Sequence, residues 1–155
     1  MSFEALRETA SFHFYQRNKQ TPFNPDNPLL FCDMDAVKFQ VYGLEHFDRE
    51  VPEATKDLRI APAALYLLCR PDLPVDDPSK YLNPEDREGQ FNRFRHYLEK
   101  NELPYRIVEG KGDERGFCAA YHIQDLTGYR MNQEWNSRSF ITGTRPEHKW
   151  IDPQE

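Results

Sequence analysis

The run from residue 83 to residue 123 sets the terms for any fold of this chain. Asn83-Pro84-Glu85-Asp86 reads as a helix start: a capping amide, proline at the first helical position, then acids against the positive end of the helix dipole. Phe91, Phe94 and Leu98 recur at helical spacing and predict one apolar stripe. Asn101 is placed to take the left-handed stop position, and Pro104 forbids continuation. Tyr105-Arg106-Ile107-Val108 then reads as a strand leading into Gly110-Lys111-Gly112-Asp113. Beyond that turn Phe117, Ala119, Tyr121 and Ile123 alternate with Cys118, Ala120 and His122, which predicts a second strand closed by a glycine hairpin.

The flanks extend the same pattern. Ser2 is placed to cap a first helix reaching about Arg17, with Phe3, Leu6, Ala10 and Phe14 on one face. Residues 29–32 (LLFC) read as a short buried strand, and Val37, Phe39 and Val41 as a second strand wet on one side, with the turn between them at residues 33–35. Residues 45–62 are charged and weakly patterned, with a minor strand or packed loop around Val51, Leu58 and Ile60. The apolar run 63–69 predicts a central strand. Asp125 is placed to cap a helix through Trp135, and residues 139–142 read as a last strand. The expectation is an α+β fold, a mostly antiparallel sheet with helices packed on one face, in a single domain over residues 1–143 with a C-terminal tail over 144–155.

Composition narrows the function classes. A chain of 155 residues can bury a core without staples, and aromatics at 14% bring large buried areas each. A net charge of -6 repels bare phosphate backbones and anionic membranes, so nucleic acid is an unlikely general partner. Cys32, Cys69 and Cys118 lie in separate apolar runs with no CxxC, which predicts free thiols in a reducing compartment. With no signal-peptide pattern and no long apolar run, the protein is expected to be soluble and cytoplasmic.

The sharpest chemical motif is Asp33-Met34-Asp35, directly after the apolar run 29–32. It looks like the first motif of the haloacid-dehalogenase-like phosphotransferases, and residues 65–69 with Arg70-Pro71 resemble that family's second motif region. The resemblance implies Asp33 as nucleophile and Asp35 as general acid/base, beside Mg²⁺. Cys69 stands where that family has Ser or Thr, and no strand ends in its paired acids. The local alternative is a turn shaped by the two aspartates.

Gly110-Lys111-Gly112 lacks the glycine spacing and Lys-Ser/Thr pair of a P-loop, and the strand expected after it favours a hairpin turn. His122 and Cys118 share a face of that expected strand about 13 Å apart, too far to act together without other partners. Arg87, Arg93, Arg95 and Lys100 stand among aromatics on the helix, but Glu85, Asp86, Glu88 and Glu99 cancel their charge.

From residue 64 to 142 the layout resembles an uncharacterised bacterial family that carries only a domain-of-unknown-function label. The shared features fall at residues 65–69, Asn92, Gly110, Glu114, Gln133 and Phe140-Ile141, while the aromatic-Asn pair after the first strand is missing. The resemblance implies an α+β sheet and no activity; Asn92, Glu114 and Gln133 are the residues to watch for a shared pocket.

No assembled active site and no cofactor are legible. The leading expectation is a small regulatory or inhibitory protein, of the bacterial or phage accessory kind, that binds a protein partner stoichiometrically. Its binding segment would be the acidic stretch Glu45, Asp48, Glu50, Glu53 and Asp57, suited to a basic partner. Two alternatives stay open: a Mg-dependent phosphotransferase-like enzyme or small-ligand binder using Asp33 and Asp35, and a nucleic-acid binder through the arginine helix.

Overall fold

The computed structural model describes residues 1–20, 30–75 and 84–127. The order is α1 (Phe3–Gln20), α2 (Ala36–Phe47), α3 (Pro52–Ile60), β1 (Tyr66–Cys69), a 3-10 turn (Pro84–Asp86), α4 (Arg87–Lys100), β2 (Tyr105–Val108) and α5 (Asp113–Thr127). The described chain is therefore mostly helical, and its sheet has two parallel strands. This overturns the expected antiparallel α+β layout. By contact the chain divides into two compact units, residues 1–64 with 93–101 and residues 65–92 with 102–155.

In the first unit α1, α2 and α3 close on an apolar core of Phe3, Leu6, Ala10, Phe14, Ala36, Phe39, Val51 and Ala54. Ser2 caps α1 as expected, its Oγ accepting from the Ala5 N–H at 3.2 Å. The strand expected over 37–41 is instead helix α2, whose buried positions Ala36, Val37, Phe39, Gln40, Val41 and Gly43 follow a helical stripe. Gln40 explains the error. Its polar side chain imitates the wet position of an alternating strand, yet it is buried and fully paired. Its Nε2 donates to Val51 O (3.0 Å) and Thr55 Oγ1 (2.6 Å), and its Oε1 accepts from Val51 N (3.0 Å). Gly43 is needed where α2 turns toward α3, because a Cβ there would stand 2.6 Å from Arg49 O and 2.7 Å from Val51 Cγ2. The segment read as loop or minor strand around 52–60 is α3, opened by Pro52 at the first helical turn.

Residues 30–32 of the expected buried strand form no strand and are exposed, Leu30 at 50% and Phe31 at 61%; Leu29 lies outside the described residues.

In the second unit β1 runs as expected from the apolar run, but beside β2 in parallel, Tyr66 opposite Tyr105 and Cys69 opposite Val108. Parallel neighbours need a crossover, and the segment carrying α4 supplies it. On α4 Phe91, in this unit, and Leu98, in the first, are buried as the stripe predicts, while Phe94, also in the first, is half-buried. The left-handed stop falls on Glu102 (φ 53) rather than Asn101, whose side chain instead donates back to Tyr97 O at 2.8 Å.

The expected hairpin strand 117–123 is helix α5. Phe117 (57% exposed) and Tyr121 (67%) sit one turn apart on its outer side, and Ile123 faces in. Gly110 (φ 98) and Gly112 (φ 53) make the turn that feeds this helix, not a hairpin. Asp125, expected to cap a new helix, lies inside α5 instead. Expectations on Gln133, on the chain from 128 to Trp135, on the strand 139–142 and on the tail 144–155 fall outside the described residues.

Candidate functional site

Asp33-Met34-Asp35 stands at the N-terminus of α2. Asp35 is the N-cap, in extended backbone (φ -139, ψ -179), and its Oδ1 accepts from the Lys38 N–H at 3.0 Å. Burial pushes the Asp35 carboxyl above its ordinary range; the N–H groups of Lys38 and Val37 and the nearby His13 act against that rise. Met34 packs on the apolar core of the first unit. Asp33, one residue earlier, is exposed. The aspartates thus do not shape a turn between two strands. One is committed to a helix end, and the other faces solvent.

Beside this motif the Arg17 guanidinium grips Asp57 with two bonds, Nη1 to Oδ2 at 2.9 Å and Nη2 to Oδ1 at 2.6 Å, on a largely buried pair. The His13 ring lies against Phe14 and Phe39, and its buried Nδ1 has no hydrogen bond among the described residues.

The acidic stretch expected as a binding segment is divided. Glu45 pairs with Arg93 at 2.7 Å, Glu53 with Arg7 at 2.6 Å and Asp57 with Arg17. Asp48 is the exposed left-handed cap of α2 (φ 51), and Glu50 is exposed after it. Three of the five carboxylates are thus engaged within the fold.

In the second unit a cluster forms where both parallel strands end, the side on which open parallel sheets place their ligands. Asp72 Oδ2 accepts from the Gly110 N–H at 2.9 Å, and its Oδ1 pairs with Arg115. Arg115 also donates from Nε to Gly110 O and from Nη2 to Arg70 O, both at 3.0 Å. The Gly110 N–H leads the causes holding the Asp72 carboxyl below its ordinary range. This settles the glycine loop physically. A helix does follow Gly110-Lys111-Gly112, as a phosphate cradle needs, but the Gly110 N–H is already taken by the chain's own carboxylate. Neither Asp72 nor Arg115 stood out in the sequence; Arg70-Pro71-Asp72 just after an apolar strand was the available signal.

His122 and Cys118, expected about 13 Å apart on a strand, meet across one helical turn with Sγ and Nε2 3.7 Å apart. The same Nε2 lies 3.1 Å from Ile107 O. A carbonyl oxygen only accepts, so the Ile107 contact is a hydrogen bond only with the proton on Nε2, the form that leaves no acceptor there for the thiol. The pair ties α5 to β2. Asn92 on α4 and Glu114 at the start of α5 are exposed, and Gln133 lies outside the described residues. Arg87 donates to Leu73 O at 2.7 Å, Arg93 pairs with Glu45, and Arg95 with Glu99, so the arginine helix spends these cations internally.

Among the described residues no group of three or more His, Cys, Asp or Glu is arranged to hold a metal ion. Mg²⁺ needs less than that from protein: one or two carboxylates complete its shell together with waters and phosphates. The exposed Asp33 fits such a role. No described helix is long and apolar enough to cross a membrane.

A family model described as an AAA domain matches residues 3–115, which include both units' described helices up to the start of α5 and the Asp33-Met34-Asp35 motif. No curated protein matches the chain. No solved structure matches it either. The match replaces the expected kinship with a family of unknown function, because it spans most of the sequence where that resemblance covered half. The chain belongs to the AAA domain family.

Proposed function

We propose that this chain carries part of a nucleotide-binding phosphotransferase in which Asp33 is the carboxylate that holds Mg²⁺. The observation behind the reading is the AAA domain match over residues 3–115, with an aspartate directly after the apolar run 29–32 and ahead of a helix N-terminus. In nucleoside-triphosphate enzymes of the P-loop type an aspartate helps to hold Mg²⁺; here Asp33, at the entrance of α2 rather than at a strand end, would be that ligand. When bound, the ion neutralises charge building on the transferring phosphoryl group. Asp33 is exposed, so its carboxylate is open to a nucleotide-bound ion. A metal-ligand role replaces the nucleophile role that the dehalogenase-like resemblance implied. The 155 residues contain no Gly-x-x-x-x-Gly-Lys-Ser/Thr run, so the phosphate cradle is not assigned to them.

Stoichiometric binding through the acidic stretch gains nothing from the family match, and Glu45, Glu53 and Asp57 already meet arginines of their own chain. Calorimetric titration with ATP, with and without Mg²⁺, tests the proposal. Wild type should bind ATP more tightly when Mg²⁺ is present. Asp33→Asn should lose that Mg²⁺-dependent gain, by about tenfold or more, ~1.4 kcal/mol, while keeping its melting temperature. Equal ATP affinity for both proteins at all Mg²⁺ levels would remove Asp33 from the site.

A further inference from the structure

We infer that Asp35 is a positioning residue: by capping α2, with Met34 anchored in the core behind it, it fixes the direction in which Asp33 is presented. The functional half of this inference rests on the phosphotransferase reading of Asp33; the structural half does not.

Several observations converge. The Asp35 carboxylate has one oxygen committed to the Lys38 N–H, and its backbone is held extended at the helix entrance. Counting from this cap, Met34 is the residue before it and Phe39 the fourth helical residue. Those are the two positions of a hydrophobic staple, and Met34 packs on the core cluster that contains Phe39. Such a staple fixes the angle at which the chain enters a helix. Among the described residues no other side chain caps the N-terminus of α2. Its third helical position is Lys38, not the Glu or Gln that would complete a capping box, and its first turn carries no acid. The only negative charge next to the positive end of α2 in sequence is therefore that of Asp35 and Asp33. Asp33 stands one residue beyond Met34, so the cap and the staple fix the backbone from which its carboxylate projects.

A general acid or base at Asp35 would need the carboxyl itself. A cap needs only a short side-chain acceptor, which Asn and Ser also supply. That difference is testable with Asp35→Asn, Asp35→Ser and Asp35→Ala, read by thermal melting and by Mg²⁺-dependent ATP affinity. Asp35→Ala should melt lowest of the three and lose Mg²⁺-dependent affinity several-fold. Asp35→Asn and Asp35→Ser should restore melting to near wild type and affinity to within about threefold, in keeping with the similar capping strength of these residues. If Asn and Ser restore melting but bind Mg²⁺-ATP as poorly as Asp33→Asn, the carboxylate acts directly and the inference is wrong. If Ala melts as high as Asn and Ser, there is no cap to rescue and it is wrong at its root. Should wild type show no Mg²⁺-dependent binding, the phosphotransferase reading falls, while the melting series still decides the cap. Should Asp35→Ala fail to fold, the comparison of Asn and Ser with wild type decides the functional half alone.

Discussion

The two units are held together by different means. The first closes three helices over a continuous apolar core and buries two paired polar groups, Gln40 with the backbone of Val51 and Arg17 with Asp57. Among the described residues the second has fewer buried apolar side chains, Tyr66, Phe91, Val108 and Ile123. It leans on polar ties instead: Asp72 and Arg115 around Gly110, and His122 on Ile107 O. Apolar burial is non-directional and resists local change, whereas a hydrogen-bonded clamp holds one loop in one place. The candidate metal carboxylate, Asp33, therefore stands on the better-packed unit, where a core can hold its helix entrance fixed. The glycine loop of the second unit depends on a few named bonds.

The largest effects should come from the core of the first unit. Phe39→Ala removes a fully buried ring that meets Phe14 and His13, and should cost about 3–5 kcal/mol in chemical denaturation. A loss below about 1 kcal/mol would erase the contrast between the units. Next is Asp57→Ala, which removes the two-bond carboxylate partner of the largely buried Arg17 guanidinium and should cost about 3 kcal/mol. Replacing both, as Arg17→Met with Asp57→Leu, should recover most of that loss, because no unpaired charge is left behind. A double variant as unstable as the single one would mean that the pair does more than satisfy itself.

Two helices and both strands of the sheet could be read from the sequence, the fold class and the sheet's direction could not, and the failures share a cause. The helix ends at Ser2 and Pro84, the α1 face and both strands of the sheet follow from caps and apolar runs. Where apolar and polar residues alternate over a few positions, period two and period 3.6 cannot be told apart, and tertiary context decides. At 37–41 the buried, fully bonded Gln40 posed as a solvent-facing residue. At 117–123 the exposed Phe117 and Tyr121 posed as core. Ala119-Ala120 and the acids Asp113-Glu114 were the overlooked helix signals in α5. Misreading that helix separated His122 from Cys118 on paper and hid the role of Arg115. Asp33 and Asp35 were legible as a motif because they follow an apolar run. Their unequal roles were not, since a cap is distinguished from a ligand only once the helix after it is known.

A smaller effect is expected in the second unit from Gly110→Ala. Gly110 has φ 98, which side-chain-bearing residues rarely adopt, and a Cβ there would stand 3.1 Å from the Glu114 Cβ. The strain should cost about 1–2 kcal/mol. It should appear as faster hydrogen exchange in α5 and β2 while α1 to α3 keep their protection. Equal loss of protection in both units would show that they unfold as one, and the contrast drawn above would be thermodynamically empty.

The smallest effect separates the units by acid. Glu53, in the first, is held below its ordinary range chiefly by its hydrogen bonds to Arg7; Asp72, in the second, chiefly by the Gly110 N–H. A carboxyl depressed in the folded state binds protons more readily when unfolded. Its stabilisation is complete above the unfolded value, near 4 for these groups, and is lost as pH falls through the folded value. Both pairs are accessible to solvent, so each contribution should be modest and weakened by salt. Denaturant midpoints measured from neutral pH downward should fall below about pH 4, and Asp72→Asn should flatten part of that fall. Read locally by hydrogen exchange, Asp72→Asn should remove the acid sensitivity of the 110–115 loop and leave that of α3 in place, while Glu53→Gln should do the reverse. If Asp72→Asn leaves the acid response of the loop unchanged, the Asp72 clamp is not what holds Gly110, and the second unit must be held by its few buried side chains after all.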